Sequence, residues 1–294
     1  MNRKTTVTIL VALIILTGAL ASACGIFSKD GPGPFRYQSI RGQTVDIYGQ
    51  GIYRHMPADV AIQGIAQDFI TLFIGIPLLL ITLPGYRKKS ARAHFLLSGT
   101  LGYFLVTYLF YTAMAMYNIL FLAYAALLGL SFFALFLTLK EFDPASVSQY
   151  FSHKAPVKFT GGFLIFNSII IALLWLSVVL PPLLNGTIYP DDLYHFTTLI
   201  VQGFDLGLLL PISFIVGLLL MKNRATGYLF GTPYIIFLSI LMMALTAKII
   251  AMAVNGVNVV PAVFIIPVIN LVTIGCAFLM VREIRSPQES TAPA

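Results

Sequence analysis

Apolar residues run through this chain in eight long blocks, broken by short polar stretches. The blocks are Thr6–Phe27, Ala61–Leu83, Ala93–Tyr117, Asn118–Leu139, Thr160–Leu180, Thr197–Met221, Ala225–Val254 and Val259–Val281. A hydrocarbon layer of roughly 30 Å needs about 20 apolar residues as helix, so each block is long enough to cross a bilayer. Only short turns separate the third block from the fourth and the seventh from the eighth, which predicts hairpins. The pattern predicts an all-α, polytopic membrane bundle of eight transmembrane helices, forming a single membrane domain over residues 1–294. Residues 286–294 are short and polar and are expected to be a disordered tail.

Composition agrees. Of 294 residues, 58% are hydrophobic and only 10% charged, and the mean hydropathy is +0.90. Soluble domains carry about 25% charge. A water-soluble fold has no interior large enough for this much apolar surface, so lipid must cover much of it. The net charge of +7 is no sign of nucleic-acid binding, because the basic residues sit in short loops between apolar runs.

There they report orientation. With the N-terminus inside, thirteen basic residues fall on the cytoplasmic side (Arg3, Lys4, Arg87, Lys88, Lys89, Arg92, Lys140, Lys154, Lys158, Lys222, Arg224, Arg282 and Arg285), against four outside, Lys29, Arg36, Arg41 and Arg54. This bias predicts a multi-pass protein of the cell (plasma) membrane with both termini cytoplasmic. Two outer loops stand out: Ser28–Asp59, with the helix-incompatible Gly31–Pro34, and Pro181–Phe196, with Asp191 and Asp192. The first block has a second reading. Asn2–Lys4, an apolar run and Ala21-Ser22-Ala23 before Cys24 also resemble a cleavable or lipoprotein signal. Cys24 and Cys276 lie near opposite faces, which argues against a disulfide between them.

The two halves, 1–142 and 156–285, echo one another. Asp68 and Asp205 each precede a proline in their own block, Pro77 and Pro211, and each block leads to a basic inner loop. Gly99-Thr100 with Tyr103 corresponds to Gly231-Thr232 with Tyr234, and Lys140-Glu141 to Arg282-Glu283. Four helices separate equivalent positions, so the expected architecture is a parallel 4+4 internal repeat about an axis along the membrane normal.

Candidate chemistry lies inside the spans. Asp68, Asp205 and Lys248 are ionisable, and a charge at a helix centre costs about 2.5–3.5 kcal/mol on insertion scales, so such groups face the interior and find partners. At 1.5 Å per residue, all three fall roughly 9–12 Å below the outer surface. Gln67 lies beside Asp68, Gln202 shares a face with Asp205, and Tyr111 on the third helix reaches a similar level. The expectation is an outward-facing polar pocket built from helices two, three, six and seven, in which Lys248 pairs with Asp205 or Asp68. Snorkelling of Lys248 is the structural alternative. Tyr48, Tyr53, Tyr189 and Tyr194 read as interfacial anchors. His55 and His195, in separate outer segments, are a thin case for a metal, and neither metal nor cofactor is expected. Hydrolase, zinc-protease and phosphate-loop motifs are lacking.

Three functions remain open. A permease-like or solute-binding protein suits duplicated halves meeting at an ionisable site, its partner a small solute or ion besides the lipid. A sensor or accessory subunit would contact another membrane protein. An intramembrane enzyme using Asp68 and Asp205 as acid and base lacks an accompanying electrophile or anion cradle.

Overall fold

A computed structural model describes residues 2–285, so the tail expected to be disordered lies outside the described residues. Eight helices are long and apolar enough to span a bilayer, and we label them α1 (Arg3–Phe27), α2 (Ala58–Arg87), α3 (Ala91–Met114), α4 (Phe121–Leu139), α5 (Val157–Leu184), α6 (Ile200–Met221), α7 (Ala225–Val254) and α8 (Ala262–Arg282). The chain is a multi-pass integral membrane protein. Each block of the hydropathy pattern became one helix, because in hydrocarbon the backbone has only its own carbonyls to bond.

The two long loops leave from one end of the bundle, here the loop face, and most arginines and lysines cluster at the other, the basic face. Helices α3 and α7 form the buried centre. They cross closely because Gly99 has no side chain: a Cβ there would stand 2.4 Å from Ile236. A similar approach joins α5 to α6, where a Cβ on Gly161 would stand 2.6 Å from the Gly217 carbonyl oxygen. Small residues at crossings are how helices associate where no hydrophobic drive exists between them. Outward sides of α5 and α8 expose Phe159, Phe166, Leu173, Phe264, Leu271 and Phe278, side chains suited to acyl chains.

Helices α2 and α6 share an irregularity. Each contains one π-helical turn, Thr71–Gly75 in α2 and Asp205–Leu209 in α6. Each turn ends two residues before a proline, Pro77 or Pro211. Proline has no N–H to donate and its ring collides with the carbonyl four residues back. Widening the preceding turn relieves that collision. The α2–α3 and α6–α7 turns at the basic face also match. Lys89 and Asn223 both adopt left-handed backbone, at φ 62° and 51°, and Ser90 N and Arg224 N reach back to Gly85 O and Leu219 O.

On the loop face the first loop contains a hairpin, β1 (Phe35–Gln38) against β2 (Thr44–Ile47), antiparallel with Phe35 opposite Ile47. Its turn lies on the second loop. Arg41 Nη2 donates to the carbonyls of Tyr194 and Phe196 at 2.9 and 2.7 Å, and Gln43 Nε2 to the Asp191 carbonyl at 2.8 Å. The loops of the two halves are thus latched together.

Candidate functional site

Asp68 lies in α2, one of the helices long and apolar enough to span a bilayer, and is 2% exposed. Its carboxylate is held by two phenols. Tyr53 donates to Oδ2 at 2.6 Å and Tyr111 to Oδ1 at 3.1 Å. Tyr53 comes from the loop, and local chemistry aims it inward. Gly51 opens a 3₁₀ turn (Gly51–Tyr53) at φ 57°, and a Cβ there would stand 2.3 Å from the Ser28 carbonyl oxygen. Ile52 N bonds to Ser28 Oγ at 3.0 Å. The phenol then lies over Gly64, where a Cβ would meet the ring at 2.6 Å. Burial, and next the Asp68 charge, holds the Tyr53 phenol well above its ordinary range, so it remains a donor. Tyr53 is therefore no interfacial anchor: it is 3% exposed.

Gln67, one residue earlier, faces α3. Its Nε2 donates to Tyr103 Oη at 2.8 Å and Thr107 Oγ1 at 3.2 Å. Thr71 Oγ1 lies 2.8 Å from the Tyr103 hydroxyl and donates to the Gln67 carbonyl at 2.9 Å. The ring of bonds ties α2 to α3 where the π turn begins.

Asp205 is placed differently. It opens the π turn of α6 and accepts from Trp175 Nε1 of α5 at 2.7 Å. Trp175 is the sole tryptophan of the chain. Lys248 is carried by α7. Among the described residues the ion pairs within 4.0 Å are Arg36–Asp46, Arg54–Asp30 and Arg282–Glu283. Lys248 therefore makes no direct pair with either carboxylate, contrary to the expected contact. The phenols and the indole already occupy the partner positions of the two carboxylates.

A cleft of about 240 Å³ opens between the halves at the loop face. Asp59 and Gln63 of α2, Met114 of α3, Trp175 of α5, Gln202 of α6 and the loop residues Asp192, Tyr194 and Phe196 line it. Helix five contributes where helix seven was expected, because Trp175 reaches toward α6. Gln202 is 9% exposed, and its amide has no hydrogen-bond partner among the described residues. Tyr194 donates to Asp59 Oδ2 at 2.7 Å from a backbone at φ 48°, ψ −123°, sparsely populated for a residue with a Cβ. Burial, and next the Asp59 bond, holds that phenol above its ordinary range. Desolvation, then the charges of Asp59 and Asp191, pushes the Asp192 carboxyl up.

The expected residues thus divide. Asp68 and Tyr111 meet, Gln67 is bound next door, Gln202 enters the cleft, and Asp205 lies behind its tryptophan. Tyr53 and Trp175 escaped sequence reasoning as partners: Tyr53 read as an interfacial anchor, and nothing local marks Trp175, within an apolar helix, as facing a carboxylate. His195 Nε2 faces the backbone carbonyl of His55 at 3.0 Å, and no cluster of three or more His, Cys, Asp or Glu suited to a metal occurs among the described residues. Compared with known protein families, curated proteins and solved structures, the chain matches none.

Proposed function

We propose that the chain is a small permease-like, solute-binding protein of the cell membrane, with its loop face outward and both termini in the cytoplasm. One observation carries the reading: the loop-face cleft between the halves places the unpartnered Gln202 amide at its wall. An amide that makes no bond within the protein and stands at the wall of a cleft offers both a donor and an acceptor to a ligand. The basic clustering on the opposite face supports the orientation.

A parallel 4+4 repeat fits this reading. The same separation of 134 residues relates Thr71 to Asp205, Pro77 to Pro211 and Lys89 to Asn223. On that register Asp205 corresponds to Thr71 and Asp68 to Gln202, one helical turn away from a match between the two aspartates. In each half the first helix covers the polar level of the second: Gly25 of α1 against Asp68, Trp175 of α5 on Asp205. The π turns beside Pro77 and Pro211 supply two places where the helices can bend, as alternating access requires.

The test needs no known substrate. In a chain with Cys24 and Cys276 replaced by serine, Gln202→Cys is offered a membrane-impermeant thiol reagent from either side. Labelling from both sides supports a permease. Labelling from outside alone removes transport and leaves a solute-binding sensor or subunit. Protection from both sides overturns the reading.

A further inference from the structure

We propose that the loop-face cleft takes a small organic cation, an alkyl- or arylammonium. This rests on the cleft being a solute site and names the class of solute. No lysine, arginine or histidine lines the cleft, although the chain as a whole carries +7. Its two charged side chains are Asp59 and Asp192, both carboxylates. Asp59 uses Oδ2 to accept from Tyr194. Asp192 has neither a side-chain hydrogen bond nor an ion pair among the described residues. Arg41 is not among the lining residues: its guanidinium is spent on the backbone carbonyls of Tyr194 and Phe196, on the loop that forms one wall.

Aromatic and apolar walls come from Trp175, Tyr194, Phe196 and Met114, beside the neutral polar side chains of Gln63, Thr198 and Gln202. Aromatic faces attract cations, tryptophan most strongly. A bare metal ion needs several oxygen ligands converging on one point, and no three-residue cluster of that kind occurs among the described residues. An anion would meet two carboxylates and no donor cation. A volume of about 240 Å³ suits a compact alkylammonium, with the Gln202 amide left to bond a hydroxyl or carbonyl on the same solute. The tie from Trp175 Nε1 to Asp205 keeps the indole in place, which makes Asp205 a positioning residue.

Trp175 also reports on the site, as the only indole in the chain. The purified full chain in nanodiscs is titrated with choline, with its neutral carbon isostere 3,3-dimethylbutanol, and with 3,3-dimethylbutanoate, following Trp175 emission. Saturable change with choline, and little with the other two, is expected. Asp192→Asn, which breaks no bond in the protein, should weaken choline binding by roughly fivefold. Equal binding of the neutral isostere, or preference for the carboxylate, overturns the cation proposal and leaves a solute site standing. Silence toward all three at millimolar concentration, with Gln202→Cys also protected from both sides, overturns the proposal and the solute-site reading together.

Discussion

Gly25 of α1 and Asp68 of α2 compete for the same space: a methyl group at Gly25 would stand 1.7 Å from Asp68 Oδ2. The carboxylate fits only because α1 offers bare backbone there. Gly25→Ala must therefore displace the carboxyl from Tyr53 or push α1 away, and overpacking of this kind costs about 1–3 kcal/mol. The apparent melting temperature in detergent should fall. Adding Asp68→Ala vacates the volume, so the double variant should be less damaged than the two single losses added. Simple additivity would mean that the helices separate there at little cost.

The two phenols on Asp68 are unequal. Tyr53 bonds at 2.6 Å, whereas Tyr111 at 3.1 Å is also 3.1 Å from the Gly64 carbonyl. A side-chain hydrogen bond contributes about 0.5–1.5 kcal/mol, and leaving a buried partner unsatisfied costs about 1–3 kcal/mol. Tyr53→Phe should therefore lower stability more than Tyr111→Phe, and should also loosen the first loop, since Tyr53 is its inward anchor. Melting curves of both variants test the order, and the reverse order would assign the carboxylate to Tyr111.

Trp175 and Asp205 should act as one unit. Asp205→Ala removes the acceptor of the indole N–H and should shift Trp175 emission, a readout that only this residue supplies. In a double-mutant cycle with Trp175→Phe, a coupling of about 1 kcal/mol in stability is expected for contacting residues. Zero coupling with unchanged emission would separate the pair.

How much of this was legible beforehand follows from what each feature depends on. Spans are dictated by local hydropathy, so all eight helices were readable, and Ala225–Val254 agrees at both ends. Asp68, Asp205 and Lys248 were conspicuous because charge in hydrocarbon is costly. Their partners were not, since pairing depends on how helices rotate against each other. Nothing local marks Trp175 as facing α6, or Tyr53 as folding back over Gly64. Pro77 and Pro211 announced a bend, while the π turns that accommodate it depend on a backbone rearrangement that hydropathy does not record. The hairpin β1–β2 was hidden in a loop whose glycines and prolines mark turns without giving their pairing.

Arg41 should govern the second loop. Its two bonds to the Tyr194 and Phe196 carbonyls hold a segment whose Tyr194 backbone is strained. With Arg41→Ala the segment should open, and chymotrypsin added from the loop side should cut between Tyr189 and Phe196 roughly tenfold faster, as expected for losing about 1.4 kcal/mol of restraint. An unchanged rate would show that Tyr194 bound to Asp59 suffices to hold the loop.

Acidification should separate stability from binding. The Asp192 carboxyl is raised from its ordinary value by desolvation, then by Asp59 and Asp191. Between the unfolded and folded pKa values the folded chain therefore holds more protons than the unfolded one, and this group's contribution to stability rises as pH falls through that window. Binding of an ammonium solute runs the other way, because the same protonation removes one of the two charges that attract it. Choline affinity read from Trp175 should thus begin to fall at a pH above the usual aspartate range, while the Asp192 contribution to stability improves. Asp192→Asn should lose this part of both dependences. An affinity that stays flat through the titration of Asp192 would show that this carboxylate does not face the cation.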